Sequence, residues 1–418
     1  MKSIVLLFPG QGSQYVGMGK ELYNRHSIVR QVFEEASDSM NMDMRKLCFE
    51  SNTNEIMKTE NAQPAILTTS YAAFSVFTNE IGIQPAFMAG HSLGEITALT
   101  CAGSIEFCDA VKIVKNRGKF MREAAADLAG CMTAVDGLDA ATIERECIRN
   151  STNGKVVSIS NYNSENQMVI SGHTWAVSAV EERLKGLGAV LTRLNVSAPF
   201  HCSLMQPAVK KLREELEKYE YSNINYPVIS NVSAKPYGGC EDIIENLTRQ
   251  IISPVRWQET MEYTYNKGAI MAVEMSPGTV LTNLIKKSKS NIQPYSYEGD
   301  SEALKKILIQ TKQTNQINNG FTVLTRCMAI AVCTKNSNWN NDDYQKGVIE
   351  PYNKIQQLQD ELDEKGERPS RKQMLEALEM LKSVFITKRI PVEEQLDKFH
   401  QIFEETGTKE LLADFKMP

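Results

Sequence analysis

The chain has 418 residues, of which 42% are hydrophobic, and a net charge of −5 at pH 7. It is longer than one ordinary domain and can bury a large core, so two or three domains are expected. The negative charge argues against nucleic acid or an anionic membrane as a bulk partner, because both would need a basic surface. The first apolar run ends at Phe8, too early for a signal peptide, and no later run approaches the length of a membrane span. These features predict a cytoplasmic protein.

Buried-type strands alternate with helices along most of the chain. The predicted strands are residues 4–8, 84–89, 227–231 and 270–274, and the predicted helices are residues 70–81, 95–102, 105–126 and 206–219. This alternation is typical of a parallel sheet covered by helices. The predicted fold class is therefore α/β, with a hydrolase-like parallel sheet formed by residues 1–128 and 197–308.

The order of predicted strands and helices changes over residues 129–196. Short strands at 131–135, 156–160, 167–171 and 190–194 surround two helices, one through Glu144 and one through Val180. The order β-α-β-β-α-β is that of a ferredoxin-like subdomain. We expect it to be inserted into the larger α/β unit.

Residues 309–418 form a further region with a different composition. Residues 310–319 are rich in Asn, Gln and Lys and are interpreted as a linker. Apolar side chains then repeat on one face of residues 344–362 and of residues 370–386, so each predicted helix has a stripe to bury. We expect a helical C-terminal extension whose stripes pack on each other and on the rest of the fold. A docking surface for a partner is the alternative.

The segment Gly90-His91-Ser92-Leu93-Gly94 matches the Gly-x-Ser-x-Gly pattern of a nucleophile elbow. It follows a predicted strand and precedes a predicted helix, which is the context that this motif requires. The glycines leave room for a serine held in a strained turn with its hydroxyl lifted clear. Ser92 is the candidate nucleophile, and a plain glycine-rich turn is the alternative.

A serine nucleophile needs a base, and the chain has five histidines. His91 adjoins the serine on the elbow, so its side chain should point away. Three others suit solvent or capping positions: His26, His173 and His400. His201 follows the last strand of the insert and precedes a helix, which makes it the candidate base, with a structural histidine as the alternative. No acidic residue stands out as its orienting partner.

Signals for a cofactor or a metal are weak. Gly10 and Gly12 begin a dinucleotide fingerprint, but Tyr15 occupies the third glycine position. Glu21 stands where a phosphate-binding loop needs Ser or Thr. The nine cysteines include no Cys-x-x-Cys pair, which favours reduced thiols over disulfides or zinc ligands. No cofactor and no metal are expected.

Several further motifs occur in order with the elbow. They are LFPGQGSQ at residues 7–14, QPA at 63–65, GHSLGE at 90–95, RGKFM at 117–121, PFH at 199–201, and Gln250 with PVRW at 254–257. In sequence and spacing this set resembles the malonyl-CoA:acyl-carrier-protein transacylase family, over about residues 1–300. The family includes enzymes of fatty-acid synthesis and the acyltransferases that load polyketide synthases.

The resemblance implies ping-pong acyl transfer. Ser92 would attack the thioester of malonyl-CoA with His201 as general base, and the phosphopantetheine thiol of an acyl carrier protein would then take the malonyl group. Backbone N–H groups of Gln11 and Leu93 would hold the oxyanion, the second of them at a helix N-terminus.

The resemblance also implies a carboxylate clamp. Arg117 would pair with the free carboxylate of the malonyl group, and the main-chain carbonyl of Gln250 would orient the histidine. From the sequence pattern alone, without the family resemblance, a solvated arginine would be the better interpretation of Arg117. Three further positions match the substrate pocket, although the two methionines read equally well as core fillers: Gln63, Met121 and Met132.

Phe200 and the C-terminal region depart from the compact fatty-acid enzymes of this family, which commonly have a serine before the catalytic histidine. Phenylalanine is found there in polyketide acyltransferases that select malonyl over methylmalonyl units. These departures favour a trans-acting acyltransferase of a polyketide or hybrid polyketide-peptide synthase. The alternatives are a housekeeping fatty-acid malonyl transferase, an acyl hydrolase acting on carrier proteins, and a non-catalytic docking protein. Arg117 argues against the hydrolase, which gains nothing from a carboxylate clamp.

Overall fold

The computed structural model describes residues 3–126, 128–152, 154–196, 198–318, 322–365, 367, 369–409 and 411–417. The chain separates into two compact units, one ending at Lys305 and the other beginning at Lys306. This division falls slightly before the boundary predicted after residue 308. Ser197, where the sequence predicts that the chain returns to the main sheet, lies outside the described residues.

The strands are β1 (Ser3–Phe8), β2 (Phe87–Gly90), β3 (Gly130–Asp136), β4 (Val157–Ser164), β5 (Gln167–His173), β6 (Val190–Arg193), β7 (Val228–Ile229), β8 (Ala269–Glu274) and β9 (Gln293–Ser296). The helices through residue 318 are α1 (Lys20–Arg25), α2 (Ser27–Met40), α3 (Met44–Glu50), α4 (Thr53–Met57), α5 (Thr59–Glu80), α6 (Leu93–Cys101), α7 (Phe107–Ala124), α8 (Ala140–Asn150), α9 (Thr174–Gly186), α10 (Gln206–Leu216), α11 (Ile243–Gln250), α12 (Trp257–Asn266), α13 (Val280–Lys287) and α14 (Tyr297–Asn318). Short 3-10 turns occur at Ser203–Met205 and Cys240–Asp242.

The larger sheet is parallel throughout, with the strand order β7-β2-β1-β8-β9. Its central strand, β1, is buried from Ile4 to Phe8, as expected for a parallel strand covered on both faces. Leu7 pairs with Ala89 of β2 on one side and with Glu274 of β8 on the other. The carboxyl ends of the strands therefore align at one edge, where parallel α/β sheets commonly bind ligands. The predicted α/β class is confirmed.

The residues between α7 and α10 form a second sheet. It is antiparallel, with the order β4-β5-β3-β6, and α8 and α9 pack against it around their own apolar core. The element order β-α-β-β-α-β is the ferredoxin-like arrangement that the sequence predicts. β4 also contacts the segment before α12, because the Tyr162 amide donates to the Val255 carbonyl (2.9 Å).

The C-terminal unit is helical. It begins within α14, and its further helices among the described residues are α15 (Val323–Cys333), α16 (Asn341–Tyr344), α17 (Glu350–Lys365), α18 (Arg371–Lys388) and α19 (Val392–Thr406), with a π-helical turn at Gln345–Ile349. The predicted stripes of α17 and α18 share one core, because Ile355, Leu362, Leu378 and Leu381 are all buried in it. The stripes therefore pack on each other, as predicted.

The segment interpreted from sequence as a linker, residues 310–319, is helical over its described part. α14 continues through Asn318, and Asn319 lies outside the described residues. The polar composition was misleading because Gln and Lys are good helix formers, whereas Asn and Thr are only moderately poor ones. No helix among the described residues is both long and apolar enough to cross a membrane.

The glycines of the elbow allow α6 to lie directly against the sheet. A Cβ added to Gly94 would stand 1.9 Å from the carbonyl oxygen of Phe8, and one added to Gly90 would stand 1.8 Å from the carbonyl carbon of Gly94. Both obstacles are backbone atoms, which cannot move aside as a flexible side chain can. Only glycine therefore fits at both positions.

We predict that Gly94→Ala lowers the free energy of unfolding by about 3 kcal/mol or more, because the added methyl group overpacks a rigid backbone contact. Gly186→Ala is the matched control: Gly186 ends α9, and a Cβ there would meet nothing within 4 Å. Urea unfolding of both variants measures the difference. Equal stabilities would show that the contact between α6 and β1 is not rigid.

Candidate active site

Ser92 lies between β2 and α6 with a φ of 55° and a ψ of −106°. Positive φ is unfavourable for a residue with a side chain, and such strain persists only when its surroundings enforce it. Two side-chain amides hold this peptide. The Ser92 N–H donates to Oδ1 of Asn231 (2.7 Å), and the Ser92 carbonyl accepts from Nε2 of Gln250 (3.0 Å). The elbow is thus fixed on both sides of the candidate nucleophile.

The hydroxyl of Ser92 contacts the candidate base. Its Oγ is 2.7 Å from Nε2 of His201, and Nδ1 of His201 is 2.8 Å from the main-chain oxygen of Gln250. A carbonyl can only accept, so Nδ1 carries a proton and Nε2 presents its lone pair to the serine. The position of an orienting acid is therefore taken by a main-chain carbonyl.

The environment keeps this imidazole neutral. Burial, and then the positive charge of Arg117, lower the pKa of His201 from its ordinary value to about 3, although the hydrogen bond to the Gln250 carbonyl opposes the shift. A neutral imidazole with a free Nε2 lone pair can accept the proton of Ser92.

Arg117 of α7 enters the same site and is only 2% exposed. Its Nη1 donates to Oε1 of Gln63 (2.9 Å), and its Nη2 donates to Oε1 of Gln250 (2.9 Å) and to Oγ of Ser92 (3.1 Å). Burial lowers the pKa of Arg117 to about 10 against the opposing charge of Glu95, so the guanidinium remains charged at neutral pH. The sequence alone favoured a solvated arginine at this position.

Nε is the one guanidinium nitrogen of Arg117 that these hydrogen bonds do not involve. This atom is buried and has no acceptor among the described residues. An orphaned buried donor is costly, and in a concave site it marks a position where a ligand acceptor would be favourable. Nε and Nη2 lie on one edge of the planar guanidinium, which is the geometry that a carboxylate can engage with two oxygens.

A cavity of about 470 Å³ surrounds these groups. Its walls include the remaining residues that the sequence predicts for the site: Gln11, Gln63, Leu93, Met121, Met132 and Phe200. Leu93 is the first residue of α6, where main-chain N–H groups have no helical acceptor and the helix dipole favours negative charge. The structure therefore brings the predicted site residues together at one cavity, except that the buried Gln250 does not line it and instead contacts Ser92, Arg117 and His201.

The other histidines lie elsewhere or make other contacts. Nε2 of His91 is 3.1 Å from Oδ1 of Asn163, and its ring packs against Trp257, so it turns away from the serine as expected. His173 accepts from the Val156 amide, whereas His26 lies beside Glu80. No cluster of three potential metal ligands occurs among the described residues.

Sequence reasoning missed two residues of this site. Asn231, which clamps Ser92, lies just beyond the carboxyl end of β7, and that location was a usable signal because ligands bind at this edge of parallel sheets. Glu95 is the last residue of the GHSLGE motif, but the sequence indicated no role for it. It is 0% exposed and bonds to the Gln250 side chain and the Asn231 main chain, contacts that no spacing along the chain reveals.

Comparisons with known proteins identify the family of this chain. A model of the acyl transferase domain matches residues 5–323. A Bacillus subtilis protein named malonyl CoA-acyl carrier protein transacylase is 37% identical over 398 residues, which cover 95% of this chain and 99% of the relative. The protein of the same name from Escherichia coli strain K12 is 43% identical over 288 residues, covering 69% of this chain and 93% of the relative.

Solved structures match the part of the chain that contains the site. The malonyl CoA-acyl carrier protein transacylase of Coxiella burnetii superposes with a TM-score of 0.70 at 36% identity, covering 74% of this chain and 96% of that chain. A malonyl-transacylase solved in complex with a type II polyketide acyl carrier protein gives 0.69 at 40% identity, covering 70% of this chain and 95% of that chain. The chain therefore belongs to the acyl transferase family and, within it, to the malonyl CoA-acyl carrier protein transacylases, a class of acyltransferase enzymes.

Proposed function

We propose that this enzyme transfers a malonyl group from malonyl-CoA to the phosphopantetheine thiol of an acyl carrier protein through a malonyl ester of Ser92. The observation that carries the proposal is the contact between Arg117 and the candidate nucleophile, with Nη2 3.1 Å from Oγ of Ser92. A buried cation at this distance suits an acyl group that ends in a carboxylate. The names of the relatives support the same substrates.

In the first half-reaction, Ser92 Oγ attacks the thioester carbonyl of malonyl-CoA while His201 Nε2 takes the hydroxyl proton. The oxyanion that forms is held by the main-chain N–H groups of Gln11 and Leu93. When the intermediate collapses, the C–S bond breaks and His201 returns its proton to the departing CoA sulfur. The product is the malonyl-Ser92 ester.

In the second half-reaction, the phosphopantetheine thiol replaces CoA. His201 takes the thiol proton, the sulfur attacks the ester carbonyl, and the same N–H groups hold the oxyanion. The C–O bond then breaks, and Ser92 Oγ recovers its proton from His201. The enzyme returns to the state seen in the structure.

Arg117 supplies the selectivity. Its unpartnered Nε and its Nη2 would donate hydrogen bonds to the two carboxylate oxygens of the malonyl group. An acyl group without a carboxylate would leave this buried donor unsatisfied, which costs binding free energy. The same reasoning disfavours a hydrolase for neutral acyl chains.

For the pathway, we propose a trans-acting role in polyketide or hybrid polyketide-peptide synthesis. Phe200 lines the cavity and is 6% exposed, so its ring would crowd an α-methyl group on the substrate. One relative was solved with a type II polyketide acyl carrier protein, and the Bacillus subtilis relative also spans the helical C-terminal region. Fatty-acid synthesis is the second candidate, because the same family likeness supports it equally.

The carboxylate clamp predicts a selective effect of Arg117→Ala. Malonyl transfer should fall about 100-fold or more, because a buried charge-assisted pair contributes a few kcal/mol. Acetyl transfer should fall much less or rise. Arg122→Ala is the matched control, since Arg122 lies on the same helix but is exposed and paired with Glu60. The rates of carrier-protein loading from malonyl-CoA and acetyl-CoA test this, and equal losses for both donors would refute the clamp.

The lowered pKa of His201 predicts the pH dependence of the first half-reaction. A base with a pKa of about 3 is neutral, and so competent, at every pH above that value. The kcat/KM for acylation of Ser92 should therefore stay level from about pH 8 down to about pH 5. With a base of ordinary histidine pKa, kcat/KM would fall about 30-fold over this range. Rapid-quench measurement of the acyl-enzyme gives the profile. An inflection near pH 6.5 would contradict the buried, neutral base.

A further inference from the structure

Glu95 is a buried carboxylate that the transfer mechanism does not use. It lies one turn after Ser92 on α6 and is 0% exposed. Its Oε2 accepts from Nε2 of Gln250 (2.6 Å) and from the main-chain N–H of Asn231 (3.0 Å), and its Oε1 accepts from the hydroxyl of Tyr237. These donors suit the ionised form of the carboxylate.

Glu95 is linked to Arg117 by one side-chain amide. The Gln250 amide accepts from Arg117 Nη2 through Oε1 (2.9 Å) and donates to Glu95 through Nε2 (2.6 Å). The positive end of the amide dipole therefore faces the Glu95 carboxylate, and its negative end faces the Arg117 guanidinium. Both orientations are favourable. The other acceptors of Arg117 are the neutral side chains of Gln63 and Ser92.

The charges of the two residues support each other. Burial raises the pKa of Glu95, while its hydrogen-bond donors and the charge of Arg117 act in the opposite direction. The charge of Glu95 likewise opposes the effect of burial on Arg117. Buried charges are retained in proteins when they are paired and hydrogen-bonded, and this pair meets both conditions through the bridging amide.

We propose that Glu95 is the resident counter-charge of Arg117 and that it sets how tightly the acyl pocket holds a carboxylate. The inference rests on the proposed malonyl transfer. Glu95 touches no reacting atom, so it is a positioning residue. It balances the guanidinium in the empty pocket, and it competes electrostatically with the malonyl carboxylate once the substrate is bound. The pocket can then select malonyl groups and still release them.

The substitution Glu95→Gln removes this charge and preserves the shape. The new amide oxygen can accept from Gln250 and Asn231, and the new amide nitrogen can donate to the Tyr237 oxygen. Arg117 then faces the substrate without a competing anion. We expect malonyl-CoA to bind about tenfold more tightly, because the substitution removes one nearby charge of the same sign as the malonyl carboxylate, and acetyl-CoA to bind within about twofold of the unsubstituted protein.

Calorimetric titration of the full-length Ser92→Ala protein, with and without Glu95→Gln, gives both Kd values without turnover. Tyr237→Phe in the same background is the control: it removes one hydrogen bond but keeps the charge, so both affinities should change by about twofold or less. If Glu95→Gln leaves malonyl-CoA affinity unchanged or weakens it, Glu95 is not the counter-charge. If the Ser92→Ala protein itself binds malonyl-CoA no better than acetyl-CoA, the proposed function fails instead.

Thermal unfolding provides an independent test in case Glu95→Gln alone destabilises the protein. Arg117→Met should lower the unfolding temperature by several degrees, because it leaves Glu95 buried without its counter-charge. Adding Glu95→Gln to Arg117→Met should restore most of the loss, since no charge then remains to be balanced. A double variant that is less stable than Arg117→Met would overturn the proposal.

Discussion

The strained peptide of Ser92 is the constraint on which the site depends. A positive φ at a residue with a side chain costs about 1–3 kcal/mol, and here it persists because amide side chains hold the Ser92 N–H and C=O. The parallel sheet makes this possible, because the carboxyl ends of β2 and β7 lie side by side and deliver Ser92 and Asn231 to the same edge. In this conformation the Ser92 hydroxyl contacts His201 and Arg117.

Gln250 contacts several residues of the site. Its main-chain oxygen orients His201, and its side-chain oxygen accepts from Arg117. Its side-chain nitrogen donates to the Ser92 carbonyl and to Glu95. Ser92, His201 and Arg117 are therefore positioned relative to a single residue, which is itself fully buried. Such preorganisation lets the site act without rearranging in each step.

Much of the fold and site could be predicted from local patterns. The elbow has a glycine requirement that is visible in sequence, and the insert has a recognisable element order. The carboxylate-binding role was proposed for Arg117 from the family likeness, because an arginine on an amphipathic helix is expected from sequence alone to be solvated. Asn231 and Glu95 are held by contacts between segments distant in sequence, which no periodicity encodes. The extent of α14 was missed because a polar helix and a polar linker have similar compositions.

In the proposed mechanism, Ser92 carries the acyl group. Intact-mass analysis of the full-length protein after incubation with malonyl-CoA, followed by peptide mapping, tests it most directly. We predict one added malonyl group per chain, on the peptide that contains Ser92, and no adduct on Ser92→Ala. An adduct that persists in Ser92→Ala, or that maps to a thiol such as the buried Cys202 beside His201, would contradict it.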